Sequence, residues 1–165
     1  MFGEERCCGC MACKNSCPTS CISVKPNKIG KFVKQIEAKR CIQCGLCEKV
    51  CPILEPSRLH VPKKAYVAWS RKININRKSS SGGVAASIYE YCIKNSIPCI
   101  GARYTEILKV KYGFVEKTES IKNFAGSKYV YSHMDAIYKE IIMRLKSGGK
   151  IVFIGLPCHV AAVQN

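Results

Sequence analysis

Cys7-Cys8-Gly9-Cys10-Met11-Ala12-Cys13-Lys14-Asn15-Ser16-Cys17-Pro18 follows the spacing C-x2-C-x2-C-x3-C-P, and the same spacing returns 34 residues later, from Cys41 to Pro52. This spacing is typical of bacterial ferredoxins that hold [4Fe–4S] clusters. Three cysteines of a run surround one cluster, while the fourth lies too far along the chain and ligates the other cluster. The sequence therefore predicts two crossed ligand sets, namely Cys7, Cys10, Cys13 and Cys51 for the first cluster and Cys41, Cys44, Cys47 and Cys17 for the second.

Thirteen cysteines in 165 residues also allow a disulfide framework or zinc sites. A disulfide framework is typical of small secreted chains, but residues 1–6 (MFGEER) contain no apolar segment of a secretory signal. Zinc sites favour two C-x2-C pairs separated by a spacer, and they gain nothing from a third cysteine at x2 and a fourth at x3 within one run. We therefore favour clusters, and expect Cys21, Cys92 and Cys99 to be small buried hydrophobes and Cys8 to pack against a cluster.

The chain is strongly basic, with a formal net charge of +16. Two oxidised clusters, each with four thiolates, would lower this to about +12. The basic residues are spread along the sequence without a nucleic-acid-binding motif, so we expect no nucleic-acid partner and infer a solvated basic face. The charge would suit an acidic partner or an anionic cofactor. Because no apolar run is long enough to span a membrane and the thiols need reducing conditions, we expect a soluble, cytoplasmic protein without a membrane span.

The pattern of elements predicts an α+β fold, with a ferredoxin-like dicluster 2[4Fe–4S] domain over residues 1–57 and an incomplete α/β domain over residues 58–165. We predict a helix over residues 82–94, capped by Ser80 or Ser81. Its predicted core face holds Val84, Ala85, Ile88, Tyr91 and Cys92. The sequence ends inside an apolar helical pattern, which we interpret as an incomplete polypeptide. The other predicted strands are 22–24, 32–36, 65–69, 98–104, 109–115 and 150–154, and the other predicted helices are 118–124, 134–146 and 156–164.

Two short segments of the second domain carry candidate functional residues. Ser79, Ser80, Ser81, Gly82 and Gly83 precede the helix over 82–94, where hydroxyls and free N–H groups would form an anion site suited to a pyrophosphate. The alternative is an ordinary helix cap with a flexible glycine pair. Lys128 is either a phosphate-neutralising residue or a surface lysine.

Cys158 and His159 follow a predicted strand, at the edge of the sheet where α/β proteins bind ligands. Three roles stay open for this pair. It is a core thiol beside a turn, a further cluster ligand completed by cysteines beyond residue 165, or a contact to cofactor or substrate. The catalytic residues are otherwise unknown.

Five short segments of the chain share their order and spacing with a known family; they are residues 7–13, 65–69, 78–83, 126–130 and 155–159. On these segments the chain resembles the N-terminal part of the coenzyme F420 hydrogenase/dehydrogenase beta-subunit family, with Leu156 and His159 where the family usually has Thr and Gln. The resemblance implies a flavin-type second domain that binds FAD at Ser79–Gly83 and Lys128. It also implies an oxidoreductase that passes electrons between the clusters, FAD and a two-electron acceptor such as coenzyme F420, together with a redox partner protein or another subunit. The alternative is a ferredoxin-type electron carrier whose second domain docks a partner reductase.

Overall fold

The computed structural model describes residues 3–57, 61–107, 109–134 and 136–165, and it divides into two units. One unit joins residues 1–58 with His133–Glu140 and Gly155–Asn165, and the other takes residues 59–132 and Ile141–Ile154. The cysteine-rich segment therefore forms a unit with two segments from far along the chain. The boundary after residue 57 stays a prediction for the domain organisation.

A β-hairpin supports the cysteine loops of the first unit. Strands β1 (Ile22–Pro26) and β2 (Phe32–Ile36) are antiparallel, with Ile22 opposite Ile36. The side-chain oxygen of Asn27 accepts hydrogen bonds from the N–H groups of Ile29 and Lys31, which closes the turn between the strands. Helices α1 (Ala12–Ser16) and α2 (Leu46–Lys49) begin inside the two cysteine runs.

The second unit is built around a three-stranded sheet with the strand order β4-β3-β5. The central strand β3 is antiparallel to β4 and parallel to β5, and α4 packs against it. The core contains Tyr89, Cys92, Cys99, Val115 and Phe124. Burial of Cys92 and Cys99 in this core, and of Cys21 in the first unit, confirms the prediction that these three are buried small residues. The elements are α3 (Ile73–Arg77), α4 (Val84–Lys94), β3 (Cys99–Tyr104), β4 (Val110–Phe114), α5 (Ile121–Phe124) and β5 (Val152–Phe153).

Two further helices belong wholly or partly to the first unit. Helix α6 (Ile137–Lys146) contributes its first turn to the first unit and the remainder to the second. Helix α7 (Pro157–Gln164) lies in the first unit and begins with proline, which suits a helix start because its missing N–H has no acceptor there. Among the described residues, no helix has both the length and the apolar character needed to cross a membrane.

The predicted strand over residues 65–69 is wrong. This segment has no strand pairing, and Tyr66, Val67 and Trp69 are exposed. Immediately after it, the N–H of Ser70 donates a 2.6 Å hydrogen bond to the carbonyl of Gly82. The backbone therefore binds the loop before α4 at this point and not a neighbouring strand.

The predicted start and core face of α4 are also wrong. The helix begins at Val84 after Gly83, whose φ of +74° places it in the left-handed region, and no serine caps it. Its buried face holds Ala86, Tyr89 and Cys92, while Val84, Ile88 and Tyr91 are exposed. Two other elements are shorter than predicted: α6 begins at Ile137, and β5 contains only Val152 and Phe153. Helix α3 was not predicted.

Candidate iron–sulfur cluster site

Cysteines from both runs of the first predicted ligand set affect one another's ionisation. The pKa of the Cys13 thiol is raised to about 11 by burial, with further contributions from negative charge on Cys7 and on Cys51. An electrostatic effect of this kind requires the thiols to be neighbours. Cys51, which belongs to the second run, therefore lies near Cys13 of the first run, in which Cys10 is buried.

The second predicted ligand set lines a single pocket of about 270 Å³. Cys41, Cys44 and Cys47 come from the second run, and Cys17 comes from the first. Burial and then the charge of Glu48 raise the pKa of Cys47. The structure thus brings Cys51 near Cys13 and Cys17 near the second run, while crossed ligation and the assignment of each thiol as a ligand stay predictions.

The backbone of the two runs has the same conformation at matching positions. Gly9 and Met11 have φ values of +74° and +63°, and Gln43 and Gly45, which lie 34 residues further on, have +54° and +74°. Left-handed residues between right-handed ones turn successive N–H groups towards one side and make a concave anion site, which is common around iron–sulfur clusters. The loops therefore fit an anionic cluster. A Cβ at Gly9 would also lie 3.0 Å from the carbonyl oxygen of Phe32, so this position has little space for a side chain.

The neighbours of Cys17 lower the pKa of its thiol. Although burial opposes its ionisation, hydrogen bonds from Thr19 and Cys21 lower the pKa of its thiol to about 7. The sulfur atoms of Cys17 and Cys21 are 3.4 Å apart. Because thiolates are the metal-binding form of cysteine, this environment favours ligation by Cys17 at neutral pH.

The described residues contain no three His, Cys, Asp or Glu side chains that converge closely enough to hold a single metal ion. All thirteen cysteines are free thiols. In a four-iron cluster the four thiolates instead bind different iron atoms at the corners of one cuboidal core.

Residues in and next to helices α6 and α7 make contacts that sequence reasoning missed. The hydroxyl of Tyr138 donates a buried 3.0 Å hydrogen bond to the carbonyl oxygen of Cys10, and the ring of His133 meets Phe32 edge-on at 4.9 Å. The side-chain N–H of Asn165 donates to the carbonyl of Glu55. The 3.6-residue periodicity predicts the helices, but no local signal links them to cysteine loops more than a hundred residues earlier.

Cys158 and His159 lie beside Cys8 in the first unit. Hydrogen bonding with Cys10 and Cys158 lowers the pKa of the Cys8 thiol, and the same interaction with Cys8 raises the pKa of Cys10 and of Cys158. His159 is buried, which lowers its pKa, although the negative charge of Cys8 opposes this shift. The three thiols of Cys8, Cys10 and Cys158 therefore affect one another's ionisation.

The serine–glycine segment lines a pocket of about 270 Å³ within the second unit. The pocket is bounded by Ser79–Ala86 and by Phe124–Ser127. The hydroxyl oxygen of Ser80 accepts a 2.8 Å hydrogen bond from the N–H of Ser127, and the Ser79 hydroxyl donates to the carbonyl of Ile75. Two segments that the sequence motifs indicate separately therefore meet at the N-terminus of α4.

Lys128 is directed to the C-terminus of α5. Its ammonium group donates 2.9 Å hydrogen bonds to the carbonyl oxygens of Phe124, Ala125 and Gly126, and it lies 5.3 Å from the centre of the Tyr104 ring. Burial lowers the pKa of this lysine. All three ammonium donors are thus used by the helix end, and phosphate binding by Lys128 stays a prediction.

Comparison with known proteins defines the class of this chain. Residues 6–53 match a family described as 4Fe-4S dicluster domain, and residues 37–96 match a second family with the same description. These overlapping matches cover the two cysteine runs, and they support two [4Fe–4S] clusters. The chain is an iron–sulfur electron-transfer protein.

Related proteins include components of redox complexes. The chain is 25% identical over 174 residues to a subunit of the F(420)H(2) dehydrogenase of Methanosarcina mazei, a match that covers 98% of this chain and 48% of that protein. It is 33% identical over 49 residues to a subunit of the ion-translocating oxidoreductase complex of Methanosarcina acetivorans, covering 30% of this chain and 17% of that protein. An uncharacterised polyferredoxin-like protein of Methanocaldococcus jannaschii is 33% identical over 58 residues, with 30% of this chain and 34% of that protein covered. The chain thus spans about half the length of the first of these relatives and less of the others.

Proposed function

We propose that this chain is an iron–sulfur flavoprotein oxidoreductase that relays electrons between two [4Fe–4S] clusters and FAD, to or from coenzyme F420 or another two-electron acceptor. The observation that carries the proposal is the proximity of Cys51, from the second run, to Cys13 of the first run. Crossed ligation makes the two runs one cofactor-binding unit.

The proposed ligands are Cys7, Cys10, Cys13 and Cys51 for the first cluster and Cys41, Cys44, Cys47 and Cys17 for the second. When bound, each cluster supplies a one-electron carrier. The chain's own residues hold the thiolates in place and direct backbone N–H groups at the sulfur atoms, which affects the reduction potential. The left-handed conformation of Gly9, Met11, Gln43 and Gly45 supports this role.

The proposed flavin site is the pocket between Ser79–Gly83 and Gly126–Ser127. First-turn N–H groups of α4 have no partner within the helix and carry its positive dipole end, which favours a pyrophosphate. The close packing of Gly82, where a Cβ would overlap the carbonyl of Ala68, keeps the backbone of the pocket free of side chains. Bound flavin would supply the conversion between one-electron and two-electron chemistry. Lys128 would contribute positive charge from the adjacent turn.

The choice of coenzyme F420 rests on the family resemblance and on the name of the Methanosarcina mazei relative. Two of the relatives are subunits of larger complexes, so we also propose a redox partner protein or another subunit for this chain. Cys158 and His159 remain candidates for residues near the reacting groups. We expect the protein to act in the cytoplasm, where thiols stay reduced.

Crossed ligation is tested by replacing one remote ligand at a time. Cys51→Ser should reduce the iron content from about eight to about four atoms per chain and leave Cys7, Cys10 and Cys13 open to alkylation. Cys17→Ser should do the same to Cys41, Cys44 and Cys47. Cys92→Ala, a change in the core of the second unit, should keep both clusters. If Cys51→Ser exposes the second run and protects the first, crossed ligation is refuted.

Flavin binding is tested separately by anaerobic purification and titration with FAD. We expect flavin absorbance and a fluorescence change that saturates at one FAD per chain, and weaker binding by Ser80→Ala. The exposed thiols of Cys41 and Cys44 favour a second candidate function, a ferredoxin-type carrier that docks a partner reductase. Intact clusters with no flavin binding, together with electron transfer to an added reductase, would select the carrier.

A further inference from the structure

Tyr89 is a buried residue of α4 whose hydroxyl group has no partner in the described protein. The side chain is 3% exposed, and its ring packs against Phe124 with ring centres 5.5 Å apart. Among the residues that the structure describes, none forms a hydrogen bond with this hydroxyl. A buried tyrosine hydroxyl usually has a partner, as Tyr138 has in the carbonyl of Cys10, because an unsatisfied polar group costs free energy. Core packing alone therefore does not explain the hydroxyl of Tyr89.

The hydroxyl keeps access to a space in the second unit. Two side-chain atoms of the described residues are buried away from solvent without a partner, Ser57 Oγ and Arg103 Nε, and the Tyr89 hydroxyl is not one of them. Tyr89 and Phe124 line the same pocket of about 270 Å³ that the serine–glycine segment lines. Long side chains on a helix lean towards its N-terminus, which is the end of α4 that borders this pocket. The hydroxyl is therefore directed into the pocket.

Strand β3 leaves room for this hydroxyl. A Cβ at Gly101 would overlap the hydroxyl oxygen of Tyr89 and would lie 3.3 Å from the ring of Phe124. The φ of Gly101 lies outside the left-handed region, so the close approach of Tyr89, and not the backbone conformation, accounts for a glycine here. Burial raises the pKa of Tyr89, which keeps the group a neutral hydroxyl at neutral pH. A hydroxyl of this kind can donate a hydrogen bond.

We propose that the Tyr89 hydroxyl donates a hydrogen bond to a phosphate oxygen of the flavin dinucleotide. This inference rests on the proposed flavin site and adds a binding residue to it. The first-turn N–H groups of α4 face the same pocket and favour an anion. The ammonium donors of Lys128 are used by three carbonyl oxygens at the end of α5. The pyrophosphate is therefore held mainly by neutral donors, and Tyr89 supplies one of them from the second turn of the helix.

One substitution should have different effects on flavin binding and on stability. Tyr89→Phe keeps the ring and its contact with Phe124, and removes only the hydroxyl. Because a hydrogen bond to a charged group is lost, the affinity for FAD should fall about 10-fold to 150-fold. The urea midpoint of the flavin-free protein should stay the same or rise, since the hydroxyl has no partner to lose. A hydroxyl with a purely structural role would instead lower the urea midpoint and leave the affinity unchanged.

The experiment is a titration of the cluster-loaded chain with FAD under anaerobic conditions, followed by flavin fluorescence. Tyr91→Phe is the matched control, because it removes the same hydroxyl from the same helix at a side chain that is 62% exposed. This control should bind FAD as tightly as the unsubstituted protein. ADP, which has a diphosphate and lacks the flavin ring, is then added as a competitor. It should displace FAD from the unsubstituted protein, and Tyr89→Phe should weaken its binding by a similar factor.

The outcomes separate this inference from the proposed function. If the unsubstituted protein binds no FAD, the proposed function and the role of Tyr89 are both refuted. If FAD binds, and Tyr89→Phe binds it as tightly as Tyr91→Phe does, only the role of Tyr89 is refuted. The hydrogen bond to phosphate is overturned if ADP does not compete, or competes equally well in both proteins. A lower urea midpoint for flavin-free Tyr89→Phe would also overturn the proposal, because the hydroxyl would then have a partner within the protein.

Discussion

The hydrogen bond from Tyr138 to Cys10 allows a quantitative test of how the later helices stabilise the cysteine loops. The bond is 3.0 Å long, and the two residues are 6% and 7% exposed, so water cannot readily replace the hydroxyl. Tyr138→Phe keeps the ring and removes the donor. A buried carbonyl that loses its donor costs about 1–3 kcal/mol.

This cost should appear in the opening of the first cysteine loop. If a chelator removes iron only from an opened loop that closes rapidly, the release rate follows the opening equilibrium. Since ~1.4 kcal/mol corresponds to a tenfold change, Tyr138→Phe should accelerate iron release about 5-fold to 140-fold. The urea midpoint should also fall, with an unchanged dependence on urea concentration.

The assay is anaerobic iron release to an excess of a ferrous chelator, followed by absorbance. Tyr129→Phe is the matched control, because it removes the same hydroxyl from a side chain that is 93% exposed. A release rate for Tyr138→Phe within twofold of this control would refute the reasoning, since the hydrogen bond would then contribute nothing to loop closure.

Three further changes test the second unit and the role of the metal. Gly83→Ala should lower the free energy of unfolding by about 1–2 kcal/mol because of its left-handed φ, and by a further amount because the new Cβ would lie 2.8 Å from a methyl carbon of Ile75. Gly148 has a similar φ of +76° but open space around it, so Gly148→Ala should show only the cost of the backbone conformation. Thermal unfolding of the two variants measures the difference. Lys128→Met should destabilise the protein by about 1–2 kcal/mol in urea, because three carbonyls lose their donor, whereas the same change at exposed Lys122 should have little effect. Removal of iron should increase hydrogen exchange in β1 and β2 while β3 stays protected, since the core around β3 needs no metal; parallel loss in β3 would contradict this.

The presence of two clusters could be predicted from the cysteine spacing because the rule is local. Each x2 step fixes how far apart two thiols can lie. The fourth cysteine lies further along the chain and is therefore expected to ligate the other cluster. The structure accordingly groups Cys13 with Cys51 and lines one pocket with Cys17 and the second run. The hairpin of β1 and β2 was predictable for the same reason, because the turn chemistry at Asn27 lies between two short apolar segments.

The face of α4 was not predictable from periodicity. Ile88 and Tyr91 form one apolar stripe, and Tyr89 and Cys92 form another that points in a different direction. Only the neighbours decide which stripe is buried, and here Phe124 packs against Tyr89 with ring centres 5.5 Å apart. Tertiary packing therefore decided between two faces with similar local patterns.

The strand predicted over residues 65–69 failed for a related reason. Alternating apolar residues form a strand only where another strand accepts and donates the backbone hydrogen bonds. The contacts of Tyr138 and Cys158 with the first loop were equally beyond reach, since side chains more than a hundred residues apart leave no local pattern.

The two cysteine loops have the same backbone conformation, but they differ in their exposure to solvent. Cys10, Met11 and Ala12 are buried, whereas Cys41 and Cys44 are exposed. Dioxygen would therefore reach the second cluster before the first. On exposure to air, the second cluster is therefore expected to be lost first, which leaves molecules that hold one cluster. A preparation with half the iron would then contain mostly such one-cluster molecules and not a mixture of intact and empty ones.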